Sequence, residues 1–384
     1  MLSVLDPPPG PIRARICCAA WRHNLQVLRR AAPHSKLLVV IKANAYGHGA
    51  VQAARTLAAA DAFGVARLGE AIELRRAGIE ADIVLMEGVF GDRELECALA
   101  HRLDLVVHEP TQLDMLARLA AVAPAPPAGR RPVVWIKLDT GMGRLGFRPE
   151  DLPAVHARLQ AISLVGELRV MTHFAQADEP ASEQTPRQQA RFAAALESLA
   201  VPPAERLAPP LLPATGLANS AGILQWPDSH AAWVRAGIAL YGSSPLAMRS
   251  AQSLGLRPVM TLETQVIALR ELAAGDTVGY GARWQAQRPS RLAVLAAGYA
   301  DGVPRHLPSG SPVLIEGHRA PLAGRVSMDM LTVDVTDLPP VAVGSRAVLW
   351  GEGLSADEVA AAAGTIAYEL FCRVNRRVPL EYFD

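Results

Sequence analysis

Val39-Val40-Ile41-Lys42-Ala43-Asn44-Ala45-Tyr46-Gly47-His48-Gly49 joins a β-branched run to a small, glycine-bearing turn, with one lysine at the junction. The apolar run predicts a buried strand. Gly47 and Gly49 predict a turn in which backbone can approach a neighbour or a ligand closely. A buried amine is costly unless it is paired or used covalently, because desolvation lowers its pKa and exposes its nucleophilicity. Taken alone, the same pattern also suits an ordinary strand-end lysine reaching water.

Moving outward, apolar runs recur at 37–42, 63–66, 83–86, 104–107, 133–138, 167–173, 211–217 and 233–238. Helix-patterned segments such as 67–78 separate them. Strands alternating with helices over this span predict an α/β fold, an N-terminal (β/α)8 TIM-type barrel at 12–245. A doubly wound open sheet is the competing arrangement. From 246 to 384 the texture changes: 258–270, 292–299, 312–319, 323–335 and 345–350 alternate or are β-branched, with glycine and proline between them. This predicts a mostly β C-terminal domain. Ser355 and Glu358 form a capping box that opens one late helix, and Gly364 closes it. The Pro/Ala segments 123–132 and 201–213 read as loops of the barrel region, and prolines 7–9 as a disordered start.

The chain has 384 residues, long enough for two cores, since single cores rarely exceed about 250–300 residues. Its 38 basic and 37 acidic residues balance and form no basic block, which speaks against nucleic acid and acidic membrane surfaces. No stretch reaches the ~20 apolar residues of a membrane span. The opening residues lack a secretory pattern, so the expected location is the cytoplasm. Four cysteines, two of them adjacent (Cys17 and Cys18), give neither a disulfide framework nor metal spacing.

Polar residues gather at the ends of the predicted barrel strands, where barrel enzymes place their sites. Lys42 ends the first run; Lys137, Asp139 and Arg144 lie at and after the fifth; His173 ends the sixth. Asn219 and Ser220 follow the seventh, and Arg235 precedes Gly237-Ile238 in the eighth. The last two loops offer a hydroxyl, glycines and free N–H groups suited to a phosphate. A nucleophilic lysine opposite a phosphate anchor is what pyridoxal phosphate requires.

With Asp139-Thr140-Gly141-Met142-Gly143-Arg144-Leu145-Gly146, Thr172-His173-Phe174-Ala175, Leu240-Tyr241-Gly242, Gly279-Tyr280-Gly281, Gly298-Tyr299-Ala300-Asp301-Gly302 and Gly324-Arg325-Val326-Ser327-Met328-Asp329 added in this order, the chain resembles the alanine racemases. These are fold-type III pyridoxal-phosphate enzymes. The resemblance spans nearly the whole chain and implies a homodimer with shared active sites. It makes Lys42 the cofactor lysine and one proton-transfer base, and Tyr280 of the partner subunit the other. A phenol ordinarily ionises near ~10 and must be tuned to act near neutrality. The resemblance gives that task to His173, linked to Arg235.

Arg235 would donate to the cofactor's ring nitrogen, and a guanidinium keeps its proton, leaving that nitrogen unprotonated and side reactions disfavoured. Tyr46, Asn219, Ser220, Gly237, Ile238 and Tyr368 match cofactor and phosphate contacts. Arg144 and Met328 match substrate contacts, and Lys137 matches a position carbamylated in many members. Tyr299, Arg305, Arg325, Asp329 and Ile366 match the family's substrate entrance. More ordinary readings stand beside these. His173 could satisfy a backbone group, Arg235 could pair with a carboxylate, Ser220 could cap a helix, and Lys137 could bridge to Asp139. A broad-specificity racemase, a decarboxylase on the same scaffold and a non-catalytic carrier are the rival activities. Cys17 departs from the family's common acidic residue, and residues 1–11 extend beyond it.

Overall fold

The structure is a computed structural model and describes residues 10–123, 129–200 and 213–384. Strand β1 is Arg13–Cys17. The next eight are β2 Lys36–Val40, β3 Ala62–Val65, β4 Ile83–Leu85, β5 Asp104–Val107, β6 Val134–Lys137, β7 Leu168–Met171, β8 Ala214–Gly216 and β9 Trp233–Ala236. Strands β2 to β9 pair in sequence order and close into one barrel, with β9 parallel to β2. Closure removes the doubly wound alternative. The runs expected from sequence fall on these strands because a strand packed on both faces needs near-continuous apolar residues.

The barrel interior is filled by Leu38, Val84, Val106, Trp135, Met171 and Trp233. At the lower end the Trp135 and Trp233 rings meet edge to face at 5.7 Å. The Arg169 guanidinium lies over both, 5.2 and 4.7 Å from their centroids. This plug leaves the opposite, C-terminal end of the strands for polar side chains.

The second domain is built on the long strand β10, Met260–Leu272, which pairs with Ser290–Leu295 and Arg346–Trp350. One expected boundary is corrected. β1 does not belong to the barrel: it runs antiparallel to β10 and parallel to Leu380–Phe383, so both ends of the described chain join the second sheet. Glu263 fixes that junction, almost wholly buried between Arg13 at 2.7 Å and Arg346 at 2.6 Å. Ser355 caps the helix Ala356–Ala362 by accepting from the Asp357 N–H at 3.1 Å, and Gly364 follows with φ +65°. Glu358 turns outward to Arg319 instead of closing the capping box. A second helix, Ala367–Arg373, follows at once and was not expected.

That second helix docks on the barrel mouth. A Cβ on Gly47, whose φ is +78°, would lie 2.1 Å from the Phe371 carbonyl oxygen. Only glycine permits the contact. The Asp357 carboxylate accepts from the Ser243 hydroxyl and from the Ser244 N–H at 3.0 Å, tying the exit of the barrel to the second domain. Prolines 7–9 and the parts of the expected loops and strand run at 124–128 and 201–212 lie outside the described residues.

Candidate active site

Lys42 stands two residues beyond the end of β2, where the strand gives way to a left-handed turn. Ala43, Asn44, Ala45 and Tyr46 all have φ between 50° and 53°. For residues bearing a Cβ this costs roughly 1–2 kcal/mol each. Surrounding bonds hold it. The Glu70 carboxylate accepts from the Ala43 N–H at 2.6 Å and, through its other oxygen, from the Ala66 and Arg67 N–H groups at 2.8 and 3.0 Å. Asn44 Oδ1 accepts from the Ala50 N–H at 2.9 Å. His48 Nδ1 lies 2.8 Å from the Tyr46 carbonyl. Because a carbonyl only accepts, that nitrogen carries the hydrogen.

His48 is fully buried among Trp21, Tyr241 and Phe371, with ring centroids at 5.9, 4.7 and 5.0 Å. Burial pulls its pKa down to about 4. An unfolded histidine takes up a proton below about 6.5, whereas the folded one stays neutral to about 4, so stability falls as pH drops through that window. The expected loss is roughly 3 kcal/mol, complete near pH 4. Denaturant midpoints measured from pH 7 to 4 check it: the wild type should show the slope, and His48→Phe should flatten it.

Arg235 is the cation at the centre. Its Nη1 donates to the Gly216 carbonyl at 2.9 Å, and its Nη2 to those of Thr172 and Leu217 at 2.7 and 2.8 Å. Nη2 also lies 3.3 Å from His173 Nδ1. No carboxylate pairs with it among the described residues, so the ordinary ion-pair reading fails. Burial lowers its pKa to about 10, still far above neutrality, and it remains charged. A guanidinium cannot accept, so the His173 Nδ1 facing it carries no hydrogen and shares one of the two Nη2 hydrogens, leaving the ring hydrogen on Nε2. Burial and then Arg235, Lys137, Arg144 and Lys42 hold the His173 pKa well below its ordinary value, so the ring is neutral.

Ser220 begins the short helix Ser220–Gln225, but Asn219 is its cap, accepting from the Gly222 N–H at 2.9 Å. The Ser220 hydroxyl instead accepts from the Gly237 and Ala239 N–H groups at 2.9 and 3.4 Å. A Cβ on Gly237 would stand 3.2 Å from the Tyr46 hydroxyl and 3.7 Å from Ser220 Oγ. Tyr368 joins from the C-terminal helix, its ring 5.7 Å from that of Tyr46. Burial pushes the Tyr46 hydroxyl far up and that of Tyr368 up to about 12, so both are neutral donors. A cavity of about 1030 Å³ opens over His173, Asn219, Ser220, Ile366 and Tyr368. Asp178 also lines it, a residue that belongs to none of the motifs quoted above.

Lys137 ends β6 and makes no ion pair with Asp139. The Asp139 carboxylate accepts from the N–H groups of Gly141, Met142 and Gly143 at 2.8–3.0 Å, closing its own loop. Burial, then Arg235, Arg144 and Lys42, lower the Lys137 amine to about 8.

The donor set fits pyridoxal phosphate: a lysine on a fixed turn, a buried cation free of carboxylates, and two neutral hydroxyls beside a glycine. The chain matches the alanine racemase N-terminal domain over 16–245 and the alanine racemase C-terminal domain over 259–382. It belongs to the alanine racemase family. An alanine racemase from Azoarcus sp. is 49% identical over 96% of this chain and 98% of its own. The catabolic alanine racemase of Pseudomonas putida is 46% identical over 97% and 99%. Among solved structures, the biosynthetic alanine racemase of Pseudomonas aeruginosa superposes with a TM-score of 0.90 at 47% identity, covering 98% of this chain and 100% of its own. That of Bartonella henselae, with covalently bound pyridoxal phosphate, gives 0.85 at 28%, covering 98% and 100%. The chain is an enzyme that interconverts L- and D-alanine with pyridoxal phosphate as cofactor, and the decarboxylase and carrier readings fall.

Some predicted site residues stay apart from this cluster. Tyr280 is 68% exposed, in the loop between the two-residue strands Thr277–Val278 and Trp284–Gln285, with Arg283 and Arg325 beside Gly281. Met328 is 52% exposed, and its carbonyl accepts from the Ala300 N–H at 3.0 Å, next to Tyr299. Asp329 pairs with Arg377 at 2.6 Å, and Arg305 is exposed. Lys42, Arg144, Arg235, Tyr280 and Met328 all lie outside the lining of the cavity over Ser220 and Tyr368.

Proposed function

We propose that the enzyme works as a homodimer in which each site combines Lys42 of one subunit with Tyr280 of the other. Racemisation needs an acid and a base on opposite faces of Cα. The observation that carries the reading is Tyr280 itself, an ionisable group 68% exposed in a hairpin loop of the second domain, on a different element from the barrel elements that carry Lys42 and Arg235. Shared sites between two subunits are typical of alanine racemases.

When bound, pyridoxal phosphate supplies the electron sink that makes the Cα proton of alanine acidic. Lys42 holds the cofactor and moves a proton at Nζ on one face. Tyr280 Oη of the partner subunit moves one on the other, with the His173 Nε2–H as its donor. Arg235 keeps its hydrogens while bonding to the ring nitrogen. Tyr46, Ser220, Gly237, Ile238 and Tyr368 hold the phosphate, with Asn219 fixing the helix that carries Ser220. Arg144 orients the substrate carboxylate beside the Met328 N–H. Tyr299, Arg305, Arg325, Asp329 and Ile366 line the approach.

The depressed pKa of Lys137 supports its carbamylation, because only the neutral amine adds carbon dioxide, releasing a proton. The carbamate would hold Arg144 by charge-assisted hydrogen bonds and offset the cations around it. Native mass spectrometry should find the carbon dioxide increment on Lys137. Full activity with Lys137 unmodified removes this role.

Activity is tested by following circular dichroism on adding L-alanine, L-serine and L-lysine separately to the holoenzyme. Rapid loss with alanine and little with lysine is expected. Serine should be partly accepted, since a pocket discriminates small changes in size by only ~1–3 kcal/mol. Equal loss with all three makes it a broad-specificity racemase.

A further inference from the structure

We propose that Gln188, on the helix Gln184–Ala200 behind the barrel, is a positioning residue that fixes the direction of the His173 imidazole. Gln188 is wholly buried, and no part of the mechanism above uses it. Its Nε2 donates to the His173 carbonyl at 2.9 Å and to Thr140 Oγ1 at 3.2 Å. Its Oε1 accepts from the Ala175 N–H at 2.9 Å. The reverse amide orientation would set the NH2 group against that N–H and an oxygen against a carbonyl, so the assignment is fixed by chemistry.

The bonds continue into the site. With Gln188 donating to Thr140, and Thr172 Oγ1 donating to the Leu138 carbonyl at 3.0 Å, the Thr140 hydroxyl must donate to Thr172 Oγ1, 2.8 Å away. The Thr172 carbonyl in turn accepts from Arg235 at 2.7 Å. Gln188 thus clamps both peptide groups that flank Phe174 and, through Thr140, the residue before His173. Arg235 holds one ring nitrogen from the front, and Gln188 holds the backbone from behind. With both in place, the direction of the His173 Nε2–H is set before a partner phenol arrives.

Gln184, one turn earlier, supplies the control. It donates to the Gly141 carbonyl at 2.8 Å and has no bond to residues 172–175. If Gln188 were only a helix-to-loop tie, losing either glutamine would act alike.

The inference rests on the reading that His173 serves Tyr280. It is tested on holoenzyme carrying Gln188→Met, Gln188→Glu or Gln184→Met, with Tyr280→Phe alongside. Deuterium isotope effects are measured with α-deuterated L- and D-alanine, and pyridoxal phosphate is titrated into each apo-protein by fluorescence. The Gln188 variants should keep wild-type cofactor affinity while turnover falls on the order of 10- to 100-fold. Their two isotope effects should move apart, because only the step at Tyr280 slows, whereas Gln184→Met should leave them in step. Gln188→Glu keeps the size and the bond to Ala175, and carries the comparison if the methionine variant does not assemble. Isotope effects that change in parallel, or cofactor affinity lost in proportion to turnover, overturn the proposal. Wild-type turnover in Tyr280→Phe would instead remove the reading beneath it.

Discussion

Tyr280→Phe should retain the coloured cofactor and the native fold, yet lose racemisation by roughly 10²- to 10⁴-fold, the usual contribution of a positioned acid or base. Retention of the cofactor follows from where the side chain lies. Tyr280 is exposed in a hairpin loop and touches neither the Ser220–Gly237 cradle nor Arg235, so losing one hydroxyl leaves the cradle intact. Turnover falls because phenylalanine keeps the ring but has no proton to give or take. Visible absorption and circular dichroism read the two effects on one sample. Unchanged turnover in both directions would take Tyr280 out of the mechanism.

The second large effect is on stability. Arg235→Met should destabilise the fold by on the order of 3–5 kcal/mol, seen as a lower urea midpoint in the apo-protein as well as the holoenzyme. Three carbonyls and the His173 ring nitrogen all turn inward to one buried guanidinium, and a methionine side chain offers none of them a hydrogen. Each acceptor left bare costs about 1–3 kcal/mol, offset in part by no longer burying a charge. Arg235 therefore organises the ends of β7 and β8 before any ligand binds. An unchanged midpoint with lost activity would confine Arg235 to the cofactor.

Much of this was legible because the barrel strands are packed on both faces and write themselves as apolar runs. The run 104–107 falls on β5 residue for residue, and the others differ from their strands mainly at the ends. The placing of Lys42, Lys137 and Arg235 at or near strand ends was legible for the same reason, since a lysine or arginine closing an apolar run stands out. What stayed hidden depends on distant partners. No glycine occupies 43–46, so nothing in composition announces the left-handed turn; Glu70 and the neighbouring elements impose it. β1 has the alternation of any edge strand, and only its pairing with β10 and Leu380–Phe383 shows which sheet it joins. Gln188 belongs to no motif, and its meaning lies in three bonds to loops 13 to 48 residues away.

A site divided between two subunits can be tested by mixing inactive parts. Lys42→Ala and Tyr280→Phe dimers, each inactive alone, are dissociated together and allowed to reassociate. Each hybrid then holds one site with both Lys42 and Tyr280 and one site with neither. Random reassortment of a two-fold dimer should restore about a quarter of wild-type turnover. If both groups served the site within a single chain, no intact pair would form in any dimer, and the mixture would stay inactive.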